Sequence, residues 1–157
     1  MKPTSYIETS IVSYLVARPS LDILVAGHQQ ITQEWWKTIQ PQMNCLISPF
    51  VIDEISKGDP EAAKRRLDVV LPFSILQINE EIKALADRYF TALKLPEKAK
   101  LDASHLAIAA WYQLDYLLSW NCKHIVSGRV RQIVQEINAQ QNLPTPIICT
   151  PEELMEI

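Results

Sequence analysis

The chain has 157 residues, a net charge of −3 at pH 7, and 48% hydrophobic and 21% charged residues. This length is typical of one domain, and folding at this size buries roughly 70% of the surface of the open chain. We therefore expect a single domain over residues 1–157 that needs no disulfide or metal for stability. The composition excludes a disordered tail and a coiled-coil rod, and the acidic balance gives no general attraction for nucleic acids.

The cysteines indicate a reducing compartment. Cys45, Cys122 and Cys149 are an odd number, lie far apart, and form no CxxC pair, which argues against a disulfide framework or a zinc site. The apolar stretch near the N-terminus is short and follows Glu8, unlike a secretory signal. No apolar run approaches the ~18 residues of a membrane span. We expect a cytoplasmic protein with no membrane partner.

Cap residues followed by proline predict several helices. The sequence predicts helices at 50–57, where Ser48-Pro49 precedes and Gly58 follows, at 61–70 after Asp59-Pro60, and from 152 to the end after Thr150-Pro151. Ser20 is the predicted cap of a helix over 21–40 and Asn79 that of a helix over 80–94. A further helix that is apolar on all faces is predicted to include residues 106–111.

Short apolar runs alternate with these helices and predict strands. They cover residues 4–7, 45–47, 73–77, 116–119 and 146–149. Alternating short strands and longer helices are typical of βαβ units with a parallel sheet covered on both faces. We therefore predict the α/β class, as a three-layer sandwich around a central, mainly parallel sheet.

Two polar residues stand at predicted strand ends, where open parallel sheets bind ligands. Glu8 directly follows the first strand, and Asn121 follows the strand near residue 118. The helical period adds two acids. Glu54 flanks the buried side of its helix whereas Asp53 faces solvent, and Asp102 shares an inward stripe with the apolar residues four and seven positions later.

Three inward carboxylates in one place predict a metal ion. Clustered acids raise one another's pKa and are costly to bury without a cation. Bringing Glu8, Glu54 and Asp102 together therefore favours Mg²⁺ or Mn²⁺, which prefer oxygen ligands, with the Asn121 amide completing the site. For each acid taken alone, a helix cap or a surface salt bridge is the alternative.

Four segments give the chain a family resemblance. Residues 6–10 (YIETS), 51–60 (VIDEISKGDP), 101–109 (LDASHLAIA) and 120–125 (WNCKHI) resemble, in order and placement, those of PIN domains, most closely of VapC-like toxins of type II toxin–antitoxin systems. The resemblance implies a metal-dependent ribonuclease in which Glu8, Glu54 and Asp102 match the first, second and third acids. Asn121 stands near the place where many members carry a fourth acid.

The resemblance also implies a mechanism and partners. Glu8, Glu54, Asp102 and Asn121 are the predicted catalytic residues, with Mg²⁺ or Mn²⁺ on Glu8 and Asp102 and a water positioned or deprotonated by Glu54. The implied substrate is RNA, and the implied protein partners are a small antitoxin and a second copy of the chain. Two other functions stay open: a PIN-fold binding or scaffold module that no longer cuts, and an enzyme for small phosphate esters.

Several neighbouring side chains are weaker candidates. Thr9 and Ser10 are expected to cap the first helix or donate to a phosphate. His105 is expected to be a hydrogen-bonded, half-buried histidine, with an approach to the site as the alternative, and one of Trp35 and Trp36 is expected to be core. Basic candidates for RNA contact are Lys57, Lys123, His124 and Arg129, and Arg18 is long enough to reach the acids or a partner.

Overall fold

A five-stranded, all-parallel sheet forms the centre of the computed structural model, which describes residues 1–155. The strands are β1 (Thr4–Ile7), β2 (Asn44–Ile47), β3 (Ser74–Ile75), β4 (Tyr116–Leu118) and β5 (Ile147–Cys149). Their spatial order is β3-β2-β1-β4-β5. Helices flank the sheet, and most side chains of the central strands are buried. The predicted α/β class with a parallel sheet is confirmed.

Seven α-helices connect the strands within the described residues. They are α1 (Thr9–Val16), α2 (Ile23–Thr38), α3 (Pro49–Ile55), α4 (Pro60–Val70), α5 (Glu80–Leu93), α6 (Lys100–Trp111) and α7 (Gly128–Ala139). Short 3-10 turns cover Gln40–Gln42, Glu97–Ala99 and Pro151–Leu154. Helix α6 is the buried one, as predicted, with seven of its twelve residues buried. Helix α7 was not assigned from the sequence.

The strand order sets where a ligand can bind. From β1 the chain proceeds outward through β2 and β3 on one side, whereas β4 and β5 occupy the other side. Tyr6 pairs with Leu46 of β2 and with Leu117 of β4, so β1 is central. The crossover direction therefore changes beside β1, and the carboxyl ends of β1 and β4 form the switch point of the sheet.

Some predicted boundaries are wrong, for local reasons. Helix α2 begins at Ile23 rather than 21, because the Asp22 carboxylate accepts from two backbone N–H groups while Ser20 caps only the Asp22 amide. Strand β3 keeps only two paired residues of the predicted 73–77. The last predicted helix is a 3-10 turn that ends at Leu154, and its final two positions lie outside the described residues.

Among residues 1–155, no helix has the length and apolar character needed to cross a bilayer.

Candidate metal centre

Glu8 stands at the carboxyl end of β1, between the strand and α1. Its backbone N–H donates to the carbonyl of Leu118 in β4, at 3.1 Å, which holds the residue at the switch point. Its Oε1 accepts from the Ser10 amide at 3.1 Å, from the Ser10 hydroxyl, and from Ser119 Oγ at 2.6 Å. The Glu8 side chain therefore caps α1 and is buried, with 5% of the residue exposed. Within residues 1–155, its Oε2 accepts no hydrogen bond.

Glu54 reaches the same place from the last turn of α3. Its side chain is 27% exposed, whereas that of Asp53 is 67% exposed, so the predicted helical phase is confirmed. Glu54 Oε1 accepts from Thr9 Oγ1 at 2.6 Å and from His105 Nε2 at 2.7 Å. As in Glu8, the described residues place all donors on one oxygen, which leaves Oε2 as the carboxylate atom with free lone pairs.

His105 is the third member of the cluster. One ligand atom each of Glu8, Glu54 and His105 lies within 4.8 Å of the others, a spacing compatible with a metal ion. The imidazole is fully buried, and its Nδ1 lies 2.6 Å from the Tyr6 hydroxyl, which lies 2.7 Å from Ser48 Oγ. Because both ring nitrogens are hydrogen-bonded, the atoms available to a cation are the carboxylate oxygens.

The pKa of Glu54 is shifted downward, whereas a cluster of acids alone would shift it upward. Burial raises the pKa of Glu54, but the hydrogen bond and charge of His105, aided by Thr9, outweigh it and lower the pKa overall. For His105, burial lowers the pKa, but the hydrogen bond to Glu54 and the charges of Glu8 and Glu54 raise it overall. The histidine therefore partly compensates the negative charge that we predicted only a metal would offset.

Asp102 lies beside this cluster, in the first turn of α6. Its Oδ2 is 3.1 Å from His124 Nδ1, and the two side chains are 16% and 17% exposed. Burial raises the pKa of Asp102, opposed by His105, Asn121 and His124. The structure thus brings Glu8 and Glu54 together as predicted, with His105 in the third place and Asp102 paired to His124 at the margin.

Asn121 holds a turn after β4. Its side-chain Oδ1 accepts from the His124 backbone N–H at 2.9 Å, and its backbone N–H donates to Ser119 Oγ at 2.9 Å. The side chain also interacts with Asp102 and lowers the pKa of that acid. Asn121 therefore positions the Asp102–His124 pair and lies near the place predicted for it.

The weaker candidates divide into those that touch the cluster and those that do not. Thr9 and Ser10 bond the two glutamates, and Glu8 takes the capping role expected of them. Lys57 forms an exposed ion pair with Asp53, and Arg129 donates to the Leu93 carbonyl. Trp35 is core, while Trp36 packs against Phe73; Lys123 is exposed.

Ser119 and the Tyr6–Ser48 pair were not predicted as parts of the site. Ser119 directly follows β4 and lies two residues before Asn121. The sequence signal that could have identified it is a hydroxyl at a strand end, close to a candidate ligand. Tyr6 and Ser48 sit inside apolar segments at β1 and at the α3 cap. Their contact joins residues 42 positions apart, which no local pattern predicts.

Comparison with known proteins shows a likeness in fold. No family model matches the chain, and no curated protein matches its sequence. Among solved structures, it is similar to a chain of VapBC-1 from nontypeable Haemophilus influenzae, with a TM-score of 0.58 and 13% identity over 95% of this chain and 98% of that one. At this identity the likeness concerns the fold, and it agrees with the PIN-like architecture expected from the sequence.

Proposed function

We propose that this chain is a Mg²⁺- or Mn²⁺-dependent endoribonuclease and the toxin of a toxin–antitoxin pair. The single observation that carries the proposal is the pairing of Glu8 and Glu54 at the switch point, each held through Oε1 with Oε2 left open. A likeness in fold to a chain of VapBC-1, which extends over 95% of this chain at a TM-score of 0.58, supports the toxin assignment.

The donor set suits a hard divalent cation. Glu8 and Glu54 offer carboxylate oxygens, and Asp102 offers a third from the margin of the cluster, whereas no cysteine is among them. These three residues would hold Mg²⁺ or Mn²⁺. When bound, such an ion activates a water and offsets charge that develops on the phosphoryl oxygens.

The surrounding side chains would hold the reacting groups in place. Ser10 and Ser119 fix the rotamer of Glu8, and Thr9 and His105 fix that of Glu54, so neither carboxylate needs to reorganise when the substrate arrives. Oε2 of Glu54 would orient the attacking water or accept its proton. This geometry would place the water beside a phosphodiester for in-line attack.

The partners follow from the same proposal. The substrate is RNA, the inhibitor is a small antitoxin protein, and the active form is a homodimer in the cytoplasm. The name VapBC-1 describes the structural relative alone; for this chain, antitoxin binding and dimerisation are proposals.

The test measures the rate of metal-dependent RNA cleavage by the Asp102→Asn variant. We expect this variant to fold normally and to lose at least ~100-fold in cleavage rate, because it removes a ligand charge. The matched control is Asp53→Asn, an exposed acid one residue from Glu54, which should cleave like the wild type. Undiminished cleavage by Asp102→Asn, or turnover of small phosphate esters but of no RNA, would refute the proposal.

A second candidate is a PIN-fold binding module that does not cut. It is favoured by one observation: the side-chain Oδ1 of Asn121 already accepts a hydrogen bond from the His124 backbone N–H. An amide also supplies no charge at a place where many PIN domains have an acid. If this candidate is correct, the chain binds RNA with and without metal. The RNA then stays intact, and substitutions of Glu8 or Asp102 make no difference to it. Growth arrest on induced expression that disappears in Asp102→Ala would exclude it.

A further inference from the structure

A cleft of about 460 Å³ lies between α1 and α4. Its polar lining consists of Ser13, Arg18, Asp59, Glu61, Arg65 and Arg66, and small apolar residues of both helices form its floor. Three guanidinium groups thus face two carboxylates in a chain whose total charge is −3. The cleft is a local positive region on an acidic protein, which is the condition for local attraction of an anion.

The cleft begins one helical turn from the candidate metal centre. Thr9 and Ser13 are four residues apart in α1 and therefore share a face of that helix. Thr9 bonds Glu54, and Ser13 lines the cleft. The face of α1 that touches the metal centre therefore continues into the cleft.

The charged groups in the cleft have different tasks. Arg66 donates to the carbonyls of Ile55 and Lys57 at 2.9 and 2.6 Å, so it ties α4 to the end of α3. The Asp59 carboxylate accepts from the Ala62 amide as the cap of α4, and Glu61 lies in the first turn, where the helix dipole favours it.

Arg18 and Arg65 are the uncommitted cations. Both are exposed, Arg18 two residues after the end of α1 and Arg65 on α4. In the described part of the chain, neither guanidinium forms an ion pair or a side-chain hydrogen bond. Because one follows α1 and the other lies on α4, an anionic chain in the cleft would meet a donor from each of the two elements that border it.

We propose that this cleft binds the phosphodiester backbone of single-stranded RNA that continues from the scissile bond. The inference rests on the proposed function and adds where the substrate strand lies. Guanidinium groups bind phosphate through paired hydrogen bonds, and backbone contacts of this kind add affinity without base preference. Arg18 and Arg65 hold phosphates, while Arg66 ties α4 to the end of α3 and Asp59 caps α4.

The test measures binding without catalysis. A fluorescent single-stranded 12-nucleotide RNA is titrated with the full chain in EDTA, and anisotropy gives Kd at several salt concentrations. Arg18→Gln and Arg65→Gln should each weaken binding by about 3- to 10-fold and reduce the salt slope by about 0.7. Lys64→Gln removes the same charge from an exposed neighbour that does not line the cleft, and it should change Kd less than twofold. Arg65→Lys should keep the salt slope and recover part of the affinity.

Cleavage kinetics separate this inference from the proposed function. If the wild type cleaves RNA with metal, Arg65→Gln should raise KM with little change in kcat, because the contact is made before and during reaction. Metal-dependent cleavage with unchanged KM and Kd in both arginine variants would overturn the cleft proposal and leave the proposed function standing. An equal loss in Lys64→Gln, or arginine variants that lose only a protein partner, would also overturn it. A wild type that neither binds nor cleaves RNA would overturn both.

Discussion

Each glutamate of the candidate metal centre is fixed through a single oxygen. Ser10 and Ser119 converge on Oε1 of Glu8, and Thr9 and His105 converge on Oε1 of Glu54. Hydrogen bonds to a charged acceptor are stronger than neutral ones, so these donors hold the carboxylates in position without occupying the second oxygen. The centre is preorganised, and the donors around the acids matter as much as the acids.

His105 should contribute to stability as well as to the site. In His105→Phe, Glu54 loses a hydrogen-bond donor and the buried Tyr6 hydroxyl loses a partner, and we expect a loss of about 1–3 kcal/mol in the free energy of unfolding. Urea unfolding measures it. The matched control is His28→Phe: His28 stacks on Trp120 at 4.0 Å, and phenylalanine keeps that stacking, so the change should stay within about 0.5 kcal/mol. Equal losses in both variants would contradict the hydrogen-bond role.

The three thiols should differ in reactivity. Burial raises the pKa of Cys45 and of Cys149 from 9.0 to about 12, while Cys122 is exposed. At pH 8, a disulfide reagent such as DTNB should modify one thiol per native chain and three in guanidinium chloride, because the thiolate is the reactive form. Rapid modification of three thiols in the native chain would contradict the packing of β2 and β5.

The same pKa shifts predict an alkaline limit to stability. Both thiols hold their protons more tightly in the folded chain, so their contribution is fully present below pH 9 and declines as the pH rises toward 12. The free energy of unfolding of the wild type should fall between pH 9 and 11, measured by urea titration. The double variant Cys45→Ala, Cys149→Ala should show a shallower decline, and an identical slope would count against this origin.

At the scale of elements, the cap residues Ser48, Asp59 and Asn79 predicted the starts of α3, α4 and α5 to within one residue. Asn79 accepts from Ile82 and starts α5 at Glu80, as the sequence indicated. At α2, Ser20 and Asp22 compete, and the choice depends on which side chain reaches the free N–H groups. Lys94, the last residue of the predicted α5, adopts a positive φ of 54° and ends the helix at Leu93.

The Asn79 cap offers a direct test of this local control. Asn79→Ala removes the acceptor for the Ile82 N–H, which lies 2.8 Å from Oδ1, and should lower the free energy of unfolding by about 1 kcal/mol. Asn79→Asp is the matched control, because it keeps an acceptor and adds a charge that the helix dipole favours. Thermal or urea unfolding of the two variants gives the comparison. A loss in Asn79→Asp equal to that in Asn79→Ala would show that the cap is not the cause.

For the site, the sequence predicted that Glu8 and Glu54 lie together, but it did not predict the side chains that hold them. Glu8 was found because it follows an apolar strand, and Glu54 because the helical period separates it from Asp53. His105 and Ser119 were not assigned to the cluster, since their contacts to Glu54 and Glu8 span 51 and 111 positions. Such contacts exist only after β1 and β4 pair and α6 packs beneath them, so no local pattern encodes them.

For the whole molecule, strand order decides where the candidate metal centre lies. Apolar periodicity predicted parallel strands but not that β1 would lie between β2 and β4, because order results from how the crossovers pack. That order brings the ends of β1 and β4 together, and the packing of α3 and α6 brings Glu54 and His105 to Glu8, with Asp102 beside them. The fold thus gathers acids from distant segments at one edge of the sheet.

The most direct test of the metal centre is Mn²⁺ binding followed by calorimetry and by the thermal unfolding midpoint. With the ion at 100 times its Kd, the wild type should gain about 2.7 kcal/mol, a rise of about 5–10 °C for a chain of this size. Glu8→Gln and Glu54→Gln should each abolish most of the binding heat and the rise, while Asp53→Asn should retain both. No heat and no shift in the wild type at millimolar Mn²⁺, or equal shifts in all four proteins, would contradict a carboxylate metal centre at this edge of the sheet.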